Sequence, residues 1–436
     1  MNKIRTYIIR LFLLLSIICW NKTYAADEAS LLIRSQKALT KVITHDIFSP
    51  PVASRIYLYA SIAAYETSII GQHTFMSLHH SIPSFPDLNI SPSGKVDMNV
   101  AVIQAFFHAA NQFVFSEQML KDSLSSIMLS FKKLDASVLK RSIELGNRVA
   151  DSILKWSEGD NYRNTRKLRR YTLSKGNKNW IPTPPGYLSA VEPHWAKMRT
   201  VAMDSASEFR PEPAIEFNTD KNSEFFREAY YVYKALDSSS AEKKAIANFW
   251  DCNPFFISTK GHLNYAIKKM SPGGHWMFIA GIAAGKTKLD LTATAAAYCI
   301  TAIALYDGFI SCWEEKFRSN VIRPETYINA YIDETWRPFL QTPPFPEYSS
   351  GHSVISNAAA VVLTSFFGNN FIFTDSSEVE YGAGVRKFTS FLQAADEASI
   401  SRIYGGIHYL PAITGGQRQG KNIGQKILDK IKLKDE

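Results

Sequence analysis

The chain has 436 residues, 46% of them hydrophobic, and carries 49 Lys and Arg against 40 Asp and Glu, a formal net charge of +9 at pH 7. An excess this mild suits a small anionic ligand and makes nucleic acid an unneeded partner. Beyond the first 25 residues the cysteines are Cys252, Cys299 and Cys312, an odd number that excludes a complete disulfide framework and points to buried thiols.

Residues 1–25 contain Lys3, Arg5, Arg10 and Lys22, no acidic residue, the apolar run Leu11 to Trp20 and small residues at Ala25 and Ala26. This is the pattern of a secretory signal peptide, and the run is too short to span a bilayer, so a secreted or periplasmic protein without a stable membrane anchor is expected. Without those four basic residues, 45 Lys and Arg face 40 Asp and Glu, a net charge of +5.

Apolar residues then recur at three- and four-residue steps through Leu31 to Ile43, Ala53 to Ile70, Met98 to Phe115, Met119 to Phe131 and Ser137 to Trp156, which predicts amphipathic helices. From Gly159 to Pro213 the pattern breaks into a polar, Pro-rich stretch with the basic cluster Arg163, Arg166, Lys167, Arg169 and Arg170. A loop of this length is either a cover over a site or mobile, and its basic cluster reads as a solvated loop face ahead of a device that steers anionic substrates. Helical spacing returns at Ser223 to Trp250, from Gly261 onward, and most strongly at Leu289 to Phe317, followed by Val354 to Phe367, Val379 to Tyr404 and Gly416 to Lys432. Strand-like alternation is nearly absent and no linker or repeat stands out. An all-α fold of packed helical bundles is therefore expected, with residues 26–436 as a single domain and the site chemistry at about 240–436. The apolar helices leave room for a homodimer.

Three segments of the last third each place polar groups at a helix end. In KFRSNVIRP, Lys316 closes the long helix, and Pro324 disfavours helical geometry at Arg323, so the guanidinium should come from the exit turn. In PPFPEYSSGHSVIS, prolines hold an extended approach to Ser350, Gly351 and His352, where a helix begins. Its free N–H groups, the serine hydroxyl and a glycine that permits close approach suit an anion, and His352 is placed to exchange protons with it. In SRIYGGIHY, Arg402 lies in a last helical turn, Gly405 and Gly406 reverse the chain and His408 follows. Each segment alone reads as ordinary capping; their recurrence together does not.

The set Lys316-x6-Arg323-Pro324, Ser350-Gly351-His352 and Ser401-Arg402-x3-Gly406-x-His408 resembles the three-part signature of the vanadium haloperoxidase and type 2 phosphatidic acid phosphatase superfamily, in order and internal spacing. By motif the resemblance covers roughly residues 240 to 420, and it is nearest the soluble secreted bacterial haloperoxidase-like branch. It implies that Lys316, Arg323, Ser350, Gly351 and Arg402 bind the oxygens of vanadate or phosphate and that His352 is the general acid and base. His408 would bond to vanadium in a peroxidase or attack phosphorus in a phosphatase. Trp313, one turn before Lys316, and Phe345 match aromatic positions that line the halide side of vanadium chloroperoxidases.

The resemblance thus implies a vanadate-dependent enzyme that oxidises halide with hydrogen peroxide. An acid phosphatase hydrolysing phosphomonoesters through a phosphohistidine, with no cofactor, is the alternative, and a non-catalytic oxyanion-binding protein the third reading. One position departs from the pattern: an acidic residue usually stands four places after the final histidine, where this chain has Ala412. A histidine used as ligand or nucleophile needs its second nitrogen held, so a backbone carbonyl is the expected substitute. Asp251, in FWDCNP, is a candidate partner for His352, and His262 and His275 are expected to be structural.

Overall fold

The computed structural model describes residues 29–235, 241–260 and 263–434. The expected signal peptide and His262 lie outside the described residues. The first helices are α1 (29–45), α2 (Pro50–Ser68), α3 (Met98–Asn111), α4 (Glu117–Met128) and α5 (Ala136–Ser157). Their starts follow from local chemistry. Ser49 Oγ accepts from Val52 N ahead of two prolines in α2, Asp97 accepts from Val100 N in α3, and Asp135 accepts from two N–H groups in α5.

After the short α6 (Tyr162–Thr165) come α7 (Glu224–Ala235), α8 (Ala241–Phe249), α9 (Pro272–Thr287), α10 (Leu291–Ser319), α11 (Pro324–Tyr331), α12 (Gly351–Phe367), α13 (Phe391–Tyr404) and α14 (Leu410–Lys430). Helices α2, α3 and α5 form one packed group and α12, α13 and α14 another, and α10 touches both. One hydrophobic core accordingly runs from Leu31 to Ile431 through α10, whose face toward each group is buried. At the seam of α12 and α14, a Cβ on Gly420 would lie 2.2 Å from the Val354 carbonyl oxygen, so only glycine lets these helices approach so closely. Among the described residues the structure is all-α apart from an isolated bridge between Asn179 and Val321 and two small antiparallel hairpins: β1 (Ile257–Lys260) with β2 (Leu263–Ala266), and β3 (Phe373–Asp375) with β4 (Arg386–Phe388).

Those hairpins correct the sequence reading in two places. The helix expected from Gly261 starts only at Pro272, after the first hairpin. The helix expected from Val379 starts at Phe391, because Gly382 at φ +88° ends a single turn and β4 intervenes. Helix α10 is also long and apolar enough to cross a membrane by length and composition. Its apolar stretch is wholly buried inside protein, as befits the helix shared by both bundles.

The Pro-rich stretch after α5 is a cover rather than a free loop. Trp180 N donates to Asn320 O, Ile322 N to Lys178 O and Val191 N to Pro344 O, which fastens it over the exits of α10 and the approach to α12. Its basic cluster is partly neutralised locally, Arg166 by Glu192 and Arg163 by Glu158.

Candidate oxyanion site

Three helix ends meet where α10, α12 and α13 converge. Helix α10 ends at Ser319 with Lys316 in its last turn, and Arg323 sits in the exit at φ −76°, ψ 151°, with Pro324 opening α11. Ser350 caps α12 by accepting from Ser353 N, and its own N–H donates to the Ala412 carbonyl at 3.1 Å, which ties the start of α12 to the first turn of α14. Arg402 lies in the last turn of α13, and Gly406, at φ +74° and hard against Trp336 and Pro338, reverses the chain to present His408. Lys316, Arg323, Ser350, Arg402 and His408 are all buried.

A narrow cavity is lined by the polar or small residues Gly351, His352, Arg402 and His408 together with the aromatics Trp313, Phe345 and Phe309. A Cβ on Gly351 would meet the Trp313 ring at 3.7 Å and Cys312 Sγ at 4.0 Å, both ordinary contacts. Packing within the chain therefore does not demand glycine there, in contrast to Gly406. What Gly351 adds is an unshielded backbone at a helix start, where the first N–H groups have no intrahelical acceptor.

His408 is held from both sides. Its Nδ1 lies 2.8 Å from Glu347 Oε1 and its Nε2 lies 3.2 Å from Arg323 Nη1. A guanidinium can only donate, so Nε2 must accept, and Nδ1 carries the proton that Glu347 receives. The Nε2 lone pair is thereby aimed into a cationic cluster. Glu347 is the functional residue the sequence reading missed. It takes the place left vacant by Ala412, and a carboxylate rather than a backbone carbonyl orients the ring. Its only sequence signal was its position three residues before Ser350 in PPFPEYSSGH.

Two other expectations change. All three donors of the Lys316 ammonium go to backbone carbonyls, those of Pro346 (3.0 Å), Glu347 (3.0 Å) and Ser349 (2.5 Å). Lys316 therefore pins the segment that carries Glu347 and Ser350, and it reaches the cavity through its charge. Asp251 forms an ion pair with Lys269 and exerts its charge on Arg402; the hydrogen bond of His352 is instead with the backbone of Trp250. Trp313 donates its indole N–H to Val191 O and packs against Phe345 with centroids 4.9 Å apart. The Phe345 ring also lies 5.1 Å from Lys316 Nζ and 5.2 Å from the Arg323 guanidinium, an apolar floor beneath the cations.

Burial dominates the electrostatics. It pushes Lys316 down to about 8 and Arg323 down to about 10, and holds Arg402 below its usual range. Burial and the neighbouring cations hold His352 and His408 well below the usual imidazole value, and burial raises Glu347 to about 7. Among the described residues, Arg323 Nη2 and His352 Nε2 are buried without a hydrogen-bond partner. An orphaned guanidinium donor inside a surplus of positive charge is costly unless an anion completes it, and a tetrahedral oxyanion such as vanadate fits this set, since its oxygens accept from Arg323 Nη2 and a protonated oxygen donates to the neutral His352 Nε2.

A family model described as the VCPO second helical-bundle domain matches residues 296–434. The structure of a bacterial vanadium-dependent iodoperoxidase is similar over 94% of this chain and 98% of its own, with 42% identity and a TM-score of 0.88. Holo and apo structures of a bacterial vanadium-dependent chloroperoxidase match at 17% identity. They cover 88% and 87% of this chain and 93% and 94% of their own, with TM-scores of 0.68 and 0.67, and they bear on the fold alone. No curated protein matches by sequence.

Proposed function

The chain belongs to the vanadium haloperoxidase superfamily and is a peroxidase-type enzyme, and we propose that its halide is iodide and that it binds vanadate at the cluster around His408. The observation that carries the proposal is the pair of orphaned groups, Arg323 Nη2 and His352 Nε2, buried beside His408 among three cations. The 42% identity with an iodoperoxidase supports the choice of halide. In keeping with the leader-like first 25 residues, the reading includes export from the cytoplasm, and it treats residues 26–436 as one domain.

When bound, vanadate supplies a Lewis-acid centre that makes peroxide oxygen electrophilic. His408 Nε2 is the ligand atom this chain offers it, with the tautomer fixed by Glu347. Arg323, Arg402, the Ser350 hydroxyl and the Gly351 N–H hold the oxygens and offset their charge, while Lys316 keeps the carrying loop in place. His352, neutral because it is buried among cations, accepts a proton at Nε2 from hydrogen peroxide and returns it to the leaving oxygen. Overall, hydrogen peroxide, iodide and a proton give hypoiodous acid and water. Trp313 and Phe345 form an apolar wall where a large, weakly hydrated halide loses little on leaving water.

The test is iodide oxidation by purified protein with peroxide and added vanadate, beside phosphomonoester hydrolysis, each repeated with His408→Ala. Vanadate-dependent triiodide formation that vanishes in the variant is expected. Ester hydrolysis inhibited by vanadate and lost in the variant would make the chain a phosphatase, and silence in both assays would leave an oxyanion-binding protein.

A further inference from the structure

A second buried cluster stands on the other side of Trp250. Cys252 Sγ lies 3.5 Å from His275 Nδ1 and 3.5 Å from Glu378 Oε1, and His275 Nδ1 lies 3.3 Å from Glu378 Oε1. All three residues are buried, and they come from three separate segments: the turn after α8, the first turn of α9 and the stretch after β3. The other ring nitrogen, His275 Nε2, is 2.8 Å from Asp375 Oδ2, and Asp375 is itself held by the N–H and hydroxyl of Ser377.

We propose that Cys252, His275 and Glu378 form a binding site for a divalent transition-metal ion of the zinc class. The geometry carries the assignment. Around a tetrahedral zinc with ordinary bond lengths, a sulfur lies about 3.6 Å from a nitrogen or oxygen ligand, and nitrogen and oxygen lie about 3.4 Å apart. All three measured edges fall within about 0.1 Å of these lengths. The contact from His275 to Asp375 is the arrangement that metal-bound imidazoles adopt, in which a carboxylate takes the distal N–H and leaves the proximal lone pair for the ion. A thiolate, an imidazole and one carboxylate favour zinc-like ions over magnesium or calcium. Three protein donors leave a fourth position for water or another donor.

The site would also act on the oxyanion pocket. The Trp250 ring stacks on His275 with centroids 4.4 Å apart, the Trp250 carbonyl accepts from Arg402 Nη2 at 2.7 Å, and Cys252 lines the cavity beside His352 and Arg402. An ion that fixes Cys252 to His275 clamps the segment against which Arg402 and His352 are positioned. It also withholds a thiol from the oxidant produced in that cavity.

The test needs neither vanadate nor peroxide, so it is independent of the halide reading. Protein without a polyhistidine tag is assayed for zinc, dialysed against chelator and titrated with cobalt(II). A single equivalent of cobalt with a thiolate-to-cobalt charge-transfer band is expected; the band should persist in Cys299→Ala, disappear in Cys252→Ala and change in Glu378→Gln. Uptake of no cobalt by the wild-type protein, or uptake without a thiolate band, overturns the site whatever the variants do. A band that persists in Cys252→Ala overturns it as well.

Discussion

Two buried arginines show how differently the two bundles treat charge. Arg55, on α2, donates to Asp160 at 2.5 Å and lies 4.4 to 5.2 Å from the ring centroids of Tyr59, Phe113 and Tyr162, while Asp160 also accepts from the Tyr59 hydroxyl. The charges of Arg55 and Asp160 are thus matched within the chain. Arg323 shares its site with Lys316 and Arg402 against the carboxylate of Glu347, and one of its nitrogens has no partner among the described residues. The first arrangement matches its charge within the chain; the second holds more positive than negative charge and leaves one donor open.

The contrast breaks most sharply on stability. Arg55→Ala strands Asp160 in the core and is expected to cost about 3 to 5 kcal/mol in urea denaturation, with iodide oxidation per folded molecule unchanged. Arg323→Ala should lose about 100- to 1000-fold in turnover and abolish the rise in melting temperature expected of the wild type on adding vanadate. If Arg323→Ala proved the more destabilised of the two without vanadate, the distinction between matched and unmatched charge would fail. Glu347→Ala frees the His408 ring and should cost about 10- to 100-fold in activity or vanadate affinity, with partial recovery in Glu347→Gln, whose amide oxygen still accepts from Nδ1. Equal activity in Glu347→Ala and wild type would remove Glu347 from the orienting role.

Asp307, on α10 between the two bundles, gives the smallest and most gradual effect. Among the described residues its carboxylate accepts from three backbone N–H groups, those of Val201, Ala202 and Met203, and burial raises it from 3.8 to about 6. The folded state thus holds this proton more tightly than the unfolded chain, so its proton-linked stability is present below pH 3.8 and lost as pH rises to about 6. The stability gap between wild type and Asp307→Asn should narrow across that window, as followed by melting temperature against pH. A gap that widened would mean that ionised Asp307 is stabilised by its three donors beyond the cost of its burial.

Much of the site was legible because its signals are local. Lys316 in a last turn, Arg323 ahead of a proline, Ser350 as a helix cap, and Arg402 followed by a glycine reversal and His408 are statements about a few adjacent residues, and backbone geometry enforces them. Trp313 and Phe345 were legible for the same reason, as aromatics one turn and a few residues from those ends. The two short hairpins were not, since strands of three and four residues carry too little alternation to stand out from turns.

By itself, then, the sequence determined an all-helical chain, the helix ends that carry the cations, and the histidine pair. These follow from periodicity, capping and the conformational limits of proline and glycine, all of which act within a turn or two. Only the tertiary structure decided which side chain completes which. It brought Glu347 to His408 across 61 positions, turned Lys316 onto the backbone, drew Asp251 to Lys269, and gathered Cys252, His275, Asp375 and Glu378 into one cluster. Such pairings depend on which segments cross in the packed core, and no spacing along the chain encodes that.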